Sequence, residues 1–533
     1  MRPDGGREHG PARGDDVEVL IVGAGPTGLT LACELARRGV SLHIVEASSG
    51  PQPGSRGKGI QPRTLQVFDD LGILDPVLAN GRLGMPFKTV GLDGRAEISQ
   101  AALLPSMSET PFTATLITPE WRIEEALRTR LAELGGKVSF GSELVALEQS
   151  DVGVAATVVD DGGTQILIAR WLVGCDGGRS TVRRRAGIPF IGETRQDVRM
   201  IVADVGVDGL DREHWHTWRG DEGFLALCPL PSTDVYQLQA SVGPGQNPAL
   251  TLANLQALVA RRAGRTDIRV REPSWSSLWR CNVRMVDRYR DGRVFLAGDA
   301  AHVHAPTGAQ GMNTGIQDAY NLGWKLAAVL QGAPPALLDT YEEERLPVAA
   351  SVLALSNELL QKAIETRGIV FPRTERALQL GVSYRGSSLS RGDREEEATL
   401  RAGDRAPDAP GLSGVNGVAR LSELLRGPHA TLLAFGPDSA GELEAVVERS
   451  KGRIRSVRIV SERACHREEW QDTHGHARRV YEAQPGTAIV IRPDGYIGLM
   501  GTTTRPNEVV SYLHQLLEIT DQRSNTQRRC ACP

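Results

Sequence analysis

The chain has 533 residues, of which 40% are hydrophobic and 24% charged, and its formal net charge is −4. This composition is typical of a soluble globular protein, and the length predicts about three domains, or one large and one small domain. Acidic and basic residues are interspersed, and no apolar run is long enough to span a bilayer. Nucleic-acid and membrane partners are therefore not expected.

Cysteine usage favours a reducing cytoplasm. The seven cysteines form no CxxC pair and are scattered over Cys33, Cys175, Cys228, Cys281, Cys465, Cys530 and Cys532. This pattern is unlike a disulfide framework or a structural zinc site, so no metal is predicted. Residues 1–15 lack the apolar stretch of a secretory signal and are predicted to be a disordered leader. The polar residues 521–533 are predicted to be a disordered tail.

A βαβ unit is predicted at the start of the folded chain. The apolar runs Val17–Val22 and Val40–Val45 predict buried strands, and Leu29–Arg38 predicts the helix between them. The first strand leads into a glycine-rich turn, which consists of Gly23, Ala24, Gly25, Pro26, Thr27 and Gly28.

This turn has the pattern of a dinucleotide site. Gly23 permits a tight turn, Gly25 lets the backbone approach a pyrophosphate, and Gly28 lets the helix pack closely on the strand. The diphosphate would lie at the helix N-terminus, where free N–H groups favour anions. Glu46, after the second strand, is suited to accept hydrogen bonds from an adenosine ribose. Because all these features occur in order, a cofactor site is favoured over an ordinary turn.

Two further motifs follow later in the chain. Glu120–Leu134 predicts an amphipathic helix, and Val154–Val173 predicts a hairpin. Asp176 begins an Asp-Gly turn, and Gly298–Asp299 follows the predicted strand Val294–Ala297. A carboxylate at a strand end suits sugar-alcohol hydroxyls, although each motif alone is as often a structural turn.

The third motif continues into a helix start. Pro306 to Asn313 precede the predicted helix Thr314–Leu330, and the backbone N–H groups of residues 308–311 would stabilise negative charge on a bound group. Residues 185–285 carry short alternating runs that predict antiparallel strands. Tyr341–Ile364 predicts a long helix, residues 384–404 a linker, and the spaced apolar runs beyond it a small α/β domain.

Together, the three motifs resemble the group A flavoprotein monooxygenases, the para-hydroxybenzoate hydroxylase-like family. Residues 54–64 are similar to the corresponding segment of aromatic polyketide hydroxylases, phenol hydroxylases and their relatives. The resemblance implies an α/β fold with a Rossmann-type FAD-binding domain (residues 16–185 and 286–383), an inserted antiparallel substrate sheet (186–285) and a C-terminal thioredoxin-like domain (405–520). That last domain lacks a CxxC motif, so disulfide chemistry is not expected there.

The resemblance also implies which residues contact FAD. They are Gly23, Gly25, Pro26, Thr27, Gly28, Glu46, Arg56, Arg122, Asp176, Gly298, Asp299, Pro306, Gly311, Met312 and Asn313. The Asp176 motif would touch NAD(P)H as well, and residues 311–313 would lie near the isoalloxazine. One departure is Glu120, where relatives often have glutamine.

The activity implied is NAD(P)H-driven hydroxylation of a phenolic ring. NADPH or NADH would reduce FAD, and reaction with O2 would give a flavin hydroperoxide that an electron-rich ring carbon attacks, in a pocket that excludes water. A polycyclic polyketide is the favoured substrate, with Trp215, Phe224 and Tyr236 as candidate contacts, although aromatic residues in a sheet also pack as core. No catalytic base is identified, and a monomer or homodimer is expected.

Several alternatives remain open from the sequence. Baeyer–Villiger oxygen insertion uses the same fold, and an antibiotic-inactivating hydroxylase would carry the same motifs. A non-catalytic FAD-binding subunit is a third possibility. A halogenase is disfavoured because its Trp-x-Trp-x-Ile-Pro motif is missing. Biosynthetic, resistance and catabolic roles are not separated.

Overall fold

The computed structural model describes residues 12–13, 17–91, 93–100, 109–243, 245–366, 374–392, 398–436 and 441–517. These residues fall into two compact units. The first lies within Met1–Pro105, Phe112–Tyr320 and Arg345–Leu380, and the second within Ser106–Pro111, Asn321–Glu344 and Gly381–Pro533. The predicted tail and all of the predicted leader except Ala12–Arg13 lie outside the described residues.

The strands of the first unit are β1 (Ala12–Arg13), β2 (Val17–Val22), β3 (Leu42–Glu46), β4 (Gly59–Ile60), β5 (Arg82–Leu83), β6 (Phe87–Val90), β7 (Ala96–Ser99), β8 (Leu116–Ile117), β9 (Val138–Phe140), β10 (Glu143–Gln149), β11 (Val154–Asp160), β12 (Gly163–Gly174), β13 (Phe190–Asp208), β14 (Trp215–Gly220), β15 (Gly223–Pro229), β16 (Val235–Val242), β17 (Arg269–Val270), β18 (Trp275–Val286), β19 (Arg290–Asp291), β20 (Val294–Leu296) and β21 (His302–Val303). Its helices are α1 (Pro26–Ala36), α2 (Pro62–Leu71), α3 (Leu74–Ala79), α4 (Glu120–Glu133), α5 (Thr181–Arg185) and α6 (Leu252–Ala263). Two long helices, α7 (Gly311–Leu330) and α8 (Asp339–Thr366), contribute residues to both units.

A parallel sheet carries the predicted βαβ unit. Strands β9, β3, β2, β12 and β20 pair side by side in parallel, and β10 and β11 extend the sheet in antiparallel fashion. The Rossmann-type arrangement is thus confirmed. Helix α1 begins at Pro26, three residues earlier than expected, because proline needs no N–H partner at a first helical position. Ala12–Arg13, expected to be disordered, instead form β1 beside β12.

The second sheet contains the predicted antiparallel strands. Its order is β21-β18-β13-β16-β15-β14-β6-β7, with β17 paired to β13. Strand β13 has 19 residues because it pairs with β16 and β18 on its two sides. Strands β6 and β7 come from much earlier in the chain, and β6 joins β14 in parallel.

The two faces of this sheet have different surroundings, because side chains alternate along a strand. One face packs Trp218, Leu225 and Tyr236 against α6 in a buried cluster. The opposite face carries Trp215 and Cys228, which pack with Met85 and Ile117, and also Phe224 and Gln237. We call this second face the loop face, since residues 54–58 contact it.

The second unit has a thioredoxin-like topology. Its strands are β22 (Arg391–Gly392), β23 (Leu412–Gly414), β24 (Gly417–Ala419), β25 (Ala430–Phe435), β26 (Ile454–Val460), β27 (Glu469–Asp472), β28 (Thr487–Ile491) and β29 (Ile497–Thr502), and its own helices are α9 (Leu421–Leu425), α10 (Gly441–Arg449), α11 (His476–Val480) and α12 (Pro506–Leu516). A βαβ segment (β25-α10-β26) and a ββα segment (β28-β29-α12) share one sheet in the order β26-β25-β28-β29. Part of the predicted linker is structured instead, because β22 pairs with β29.

A buried ion network lies inside the second unit. Glu344 of α8 accepts hydrogen bonds from Arg492 (2.5 and 2.8 Å) and Lys325 (2.7 Å). Arg492 also pairs with Asp494 at 2.5 Å. All four side chains are at most 1% exposed. Burial opposes ionisation, but Arg492 and Lys325 hold the pKa of Glu344 well below its usual range.

Candidate active site

The three predicted motifs and Glu46 meet at one edge of the parallel sheet. The residue pairs Val22–Val45, Val22–Gly174 and Gly174–Leu296 are neighbours in register, so β2, β3, β12 and β20 end side by side. The residues at this edge are Gly23, Glu46, Asp176 and Gly298. Ligands of open α/β sheets bind at the carboxyl ends of the strands, so this edge is the expected cofactor site.

The glycines of the first turn have distinct structural roles. Gly23 has a φ of +102°, and a Cβ atom there would overlap the carbonyl of Cys175. A Cβ at Gly28 would overlap the carbonyl oxygen of Gly23, whereas a Cβ at Gly25 would meet no protein atom within 4 Å. Gly25 is the N-cap of α1, and it has no side chain that could accept hydrogen bonds from the first N–H groups of the helix. Open space before free helix N–H groups fits a diphosphate.

Neighbouring contacts hold the motifs together. A Cβ at Gly298 would lie 2.6 Å from Thr27 Oγ1, so the first and third motifs touch. Arg183 donates hydrogen bonds to the carbonyl oxygens of Gly178 (2.9 Å) and Ala300 (2.8 Å), which joins the second motif to the third. Arg183 was not predicted as a site residue.

Glu46 is positioned for a ribose. Its Oε2 accepts from the N–H of Ala24 (2.9 Å), and its Oε1 accepts from the N–H (3.0 Å) and hydroxyl (2.8 Å) of Ser48. These bonds fix the carboxylate beside the glycine-rich turn. The remaining lone pairs of its two oxygens are suited to sugar hydroxyl donors.

Asp176 organises its own turn. Its Oδ2 accepts from the N–H groups of Thr181 (2.6 Å) and Val182 (3.1 Å) at the start of α5. Its Oδ1 is buried and has no hydrogen-bond partner among the described residues. Burial raises the pKa of this carboxyl. Oδ2 thus stabilises the turn, and Oδ1 is available to accept a hydrogen bond from a ligand.

Asp299 lies shortly after the end of β20. Its side chain is accessible to solvent and makes no hydrogen bond to a described residue, but surrounding protein raises the pKa of its carboxyl. The neighbouring Gly298 N–H donates to Asp318 (3.1 Å), and His302 is bonded to the same carboxylate (2.7 Å). The buried guanidinium of Arg345 donates a hydrogen bond from its Nε to Asp318 Oδ1 at 2.7 Å. Asp318 and Arg345 were not predicted.

The start of α7 faces residues 57–61. Asn313 is fully buried; its amide donates to the carbonyl oxygens of Gly59 and Ala309 and accepts from the N–H of Gln61, all at 2.8 Å. Its side chain therefore orders the backbone of this segment. Met312 approaches Gly57, where a Cβ would lie 3.1 Å from its methyl carbon. Pro306 is exposed, and Gly311 packs against His304.

Arg56 lies near two carboxylates of α4. Glu120 accepts from the Gly57 N–H at 2.5 Å, and Arg56 is close enough to stabilise the charged forms of Glu120 and Glu124. Burial, followed by the Glu124 charge, raises the pKa of Glu120 to about 7. Arg122 pairs with Glu125 at 2.7 Å, and its Nε is buried without a hydrogen-bond partner in the described part of the chain.

A polar network joins residues 54–58 to the loop face. Ser55 donates its N–H (2.8 Å) and hydroxyl (2.6 Å) to Asp204, and Gln237 donates to the Ser55 carbonyl oxygen. Lys58 donates to Gln237 Oε1, and its Nζ lies 4.4 Å from the ring centroid of Trp215. Burial lowers the pKa of Lys58 to about 8. The network places one side of the sheet against the residues that precede β4.

The structure separates the three predicted substrate residues. Trp215 and Phe224 lie on the loop face. Tyr236 does not: it is 1% exposed in the opposite cluster, and its hydroxyl is bonded to the carbonyl oxygen of Asp211 at 3.1 Å. Its neighbour Gln237 occupies the loop face instead, because adjacent residues of a strand point to opposite sides.

These features fit FAD. The site has an open helix N-terminus that can donate to the diphosphate. It also has carboxylates at two strand ends that can accept from the sugar-alcohol hydroxyls. Within the described part of the chain, a buried carboxylate oxygen of Asp176 and the Nε of Arg122 have no hydrogen-bond partner and remain to be satisfied. A Rossmann-type sheet joined to a large antiparallel sheet and a thioredoxin-like domain defines the class: an FAD-dependent aromatic hydroxylase.

Comparison with known proteins leads to the same class. The family model for an FAD binding domain matches residues 16–356, and the one for an aromatic-ring hydroxylase C-terminal domain matches residues 399–518. The chain is 43% identical over 508 residues to a flavin-dependent monooxygenase of Mycobacteroides abscessus, covering 94% of this chain and 100% of that protein. It is 36% identical over 548 residues to 6-methylpretetramide 4-monooxygenase of Streptomyces rimosus, covering 96% of both.

The fold is also found in solved structures. A ternary complex of aklavinone-11 hydroxylase with FAD and aklavinone superposes with a TM-score of 0.82 and 28% identity, covering 95% of this chain and 100% of that one. The chain therefore belongs to the family of FAD-dependent aromatic monooxygenases, oxidoreductases that use NAD(P)H and O2. In the described residues, no helix is long and apolar enough to cross a membrane.

Proposed function

We propose that this enzyme hydroxylates a phenolic ring of a polycyclic, polyketide-type substrate. The observation that carries the proposal is the loop face, where the half-buried ring of Phe224 offers flat apolar surface. Trp215 is 3% exposed and packs in the same cluster, so it supports this face from within. Two relatives are named for 6-methylpretetramide and aklavinone, which supports a large aromatic substrate over a small phenol.

The residues of this chain contribute binding, orientation and charge. FAD, when bound, supplies the activation of O2 and accepts hydride from NADPH or NADH. The buried ammonium of Lys58 places positive charge behind the loop face. A positive field favours loss of a phenol proton, which makes the ring carbons more nucleophilic. The carboxylates of Glu46 and Asp299 and the free oxygen of Asp176 would hold the cofactor.

The test is the product formed under ¹⁸O2. Purified holoenzyme is incubated with NADPH or NADH and a panel of simple phenols, tetracyclic phenols and quinones, and products are analysed by mass and NMR. A tetracyclic product with one labelled ring hydroxyl is expected. A lactone would show Baeyer–Villiger insertion instead, and exclusive turnover of simple phenols would contradict the polyketide assignment. Turnover of an active antibiotic to an inactive product would indicate a resistance role.

Assembly and location follow as further proposals. We infer a monomer or homodimer that works in the cytoplasm, where NAD(P)H is available. The scattered cysteines support a reducing compartment, and the five in the described residues are unpaired. Light scattering of the purified protein measures its molar mass. A mass above that of a dimer would contradict the proposed monomer or homodimer.

A further inference from the structure

Glu120 is hydrogen-bonded to Gly57, which follows Arg56 in the loop after β3 and so lies beside a residue expected to contact FAD. Arg56 interacts electrostatically with both Glu120 and Glu124 of α4. Glu124 is in turn close enough to interact with Glu46, and Glu120 with Asp299. Glu46 and Asp299 are the carboxylates suited to the two sugar-alcohol parts of FAD. The diphosphate that connects those parts would therefore be near Glu120.

The carboxyl group of Glu120 is held in place by backbone contacts. Gly57 donates its N–H to Glu120 Oε2 at 2.5 Å, and the N–H of Glu120 donates to the Gly57 carbonyl oxygen at 3.1 Å. A Cβ at Gly57 would lie 3.1 Å from both Glu120 Oε2 and the Met312 methyl carbon. The carboxyl group is thus held between the loop after β3 and the start of α7.

The surrounding charges do not favour an ionised Glu120. The charged groups that act on it are Glu124 from its own helix, Asp299 from the turn after β20, and Arg56 from the loop after β3. Arg56 is shared with Glu124, which also pairs with Arg128 at 3.3 Å. A diphosphate would add two negative charges, and like charges favour the neutral form of an acid.

We propose that FAD binding is coupled to the uptake of one proton by Glu120, so that this side chain is a neutral acid in the holoenzyme. The proton comes from solvent as FAD enters and returns to solvent when FAD leaves. The neutral carboxyl keeps its acceptor oxygen for the Gly57 N–H and gains one O–H donor. It then has the hydrogen-bonding capacity of a glutamine side chain with one donor fewer.

The coupling has a defined pH dependence. In the apoprotein, the pKa of Glu120 is raised to about 7. Bound FAD raises it further, so the holoenzyme binds more protons than the apoprotein above that pH. Linkage then requires the FAD dissociation constant to be flat below about pH 6 and to rise above about pH 7, by up to about tenfold per pH unit.

The experiment is a fluorescence titration of apoprotein with FAD at pH 6, 7, 8 and 8.5. Glu120→Gln fixes a neutral side chain of similar shape and is expected to bind FAD with little change across this range, at the wild-type low-pH affinity. Glu133→Gln, at the exposed far end of the same helix, is the matched control and should follow the wild type. Equal pH dependence in wild type and Glu120→Gln would overturn the proposal.

A second measurement does not depend on the variant folding. Calorimetry of FAD binding to wild-type apoprotein at pH 8, in buffers of different ionisation enthalpy, should show uptake of close to one proton per FAD. Uptake near zero would overturn the proposal. The inference requires FAD binding but not the proposed substrate, so FAD binding without proton uptake would refute it and leave the hydroxylase assignment intact.

Discussion

The ammonium nitrogen of Lys58 lies 4.4 Å from the ring centroid of Trp215. Its side chain is 7% exposed, and burial lowers its pKa from 10.5 to about 8. The unfolded chain therefore binds more protons between about pH 8 and 10.5, and the cost of burying the charge is relieved as pH rises through this window. A buried charge of this kind costs at most about 3 kcal/mol at pH 7.

Lys58→Met should accordingly change the pH dependence of stability. Relative to the variant, wild type is expected to gain about 2–3 kcal/mol in free energy of unfolding between pH 7 and 10, measured by urea denaturation. Activity should fall, since the positive field at the loop face is lost. Lys88→Met, at a 37% exposed side chain on β6, is the control and should show no such pH trend. If the difference in free energy of unfolding between wild type and Lys58→Met does not change with pH, the Lys58 charge is not buried.

The two faces of the antiparallel sheet can be told apart by kinetics. Phe224→Ala removes a ring from the loop face and is expected to raise KM for the aromatic substrate several-fold, with FAD affinity unchanged. Tyr236→Phe removes the hydroxyl that bonds the carbonyl oxygens of Leu210 and Asp211 on the opposite face, and it should cost about 1 kcal/mol of stability with KM unchanged. Steady-state kinetics and thermal unfolding of both variants measure this. A KM effect confined to Tyr236→Phe would reverse the assignment of the faces.

The ion network of the second unit should dominate the stability of that unit. Glu344→Gln leaves Arg492 and Lys325 buried beside a neutral group, and a loss of about 3–5 kcal/mol at pH 7 is expected. Because the pKa of Glu344 is depressed, the stability it contributes is present above about pH 4.5 and is lost as pH falls below that value. Denaturation at pH 7 and pH 4 tests both statements.

Glu343→Gln is the matched control for that experiment. Its side chain is exposed one residue away on α8, where it accepts hydrogen bonds from Ser388. A loss of about 1 kcal/mol or less is expected. Equal losses for the two variants would mean that the buried network adds nothing beyond a surface contact.

Local patterns predicted the cofactor half of the site, because each motif carries its own signal. The strand, turn and helix around Gly23–Gly28 are contiguous, and Asp176 and Gly298 each follow a strand. Other parts of the fold depend on strand pairings between distant segments, and these pairings leave no local pattern in the sequence. Strand β6 joins β14 over 128 positions along the chain, as in the pair Phe87–Trp215.

Partners from distant elements were missed for the same reason. Asp318 and Arg345 support Gly298 and His302 from two helices, and nothing in their neighbourhood marks them. The alternation around Tyr236 showed that Tyr236 and Gln237 face opposite ways, but not which of them meets the cofactor residues. That choice is made by the contacts of Ser55 and Lys58 with the loop face.

FAD is expected to bind with its diphosphate at the start of α1, and the FAD affinities of two glycine variants test this placement. Gly25→Ala places its Cβ in space that holds no protein atom, so the apoprotein should unfold at the wild-type temperature while FAD affinity falls tenfold or more. Gly28→Ala would overlap the carbonyl oxygen of Gly23 and should destabilise the apoprotein itself. Wild-type FAD affinity in Gly25→Ala, or a wild-type protein that takes up no flavin on reconstitution, would contradict the account.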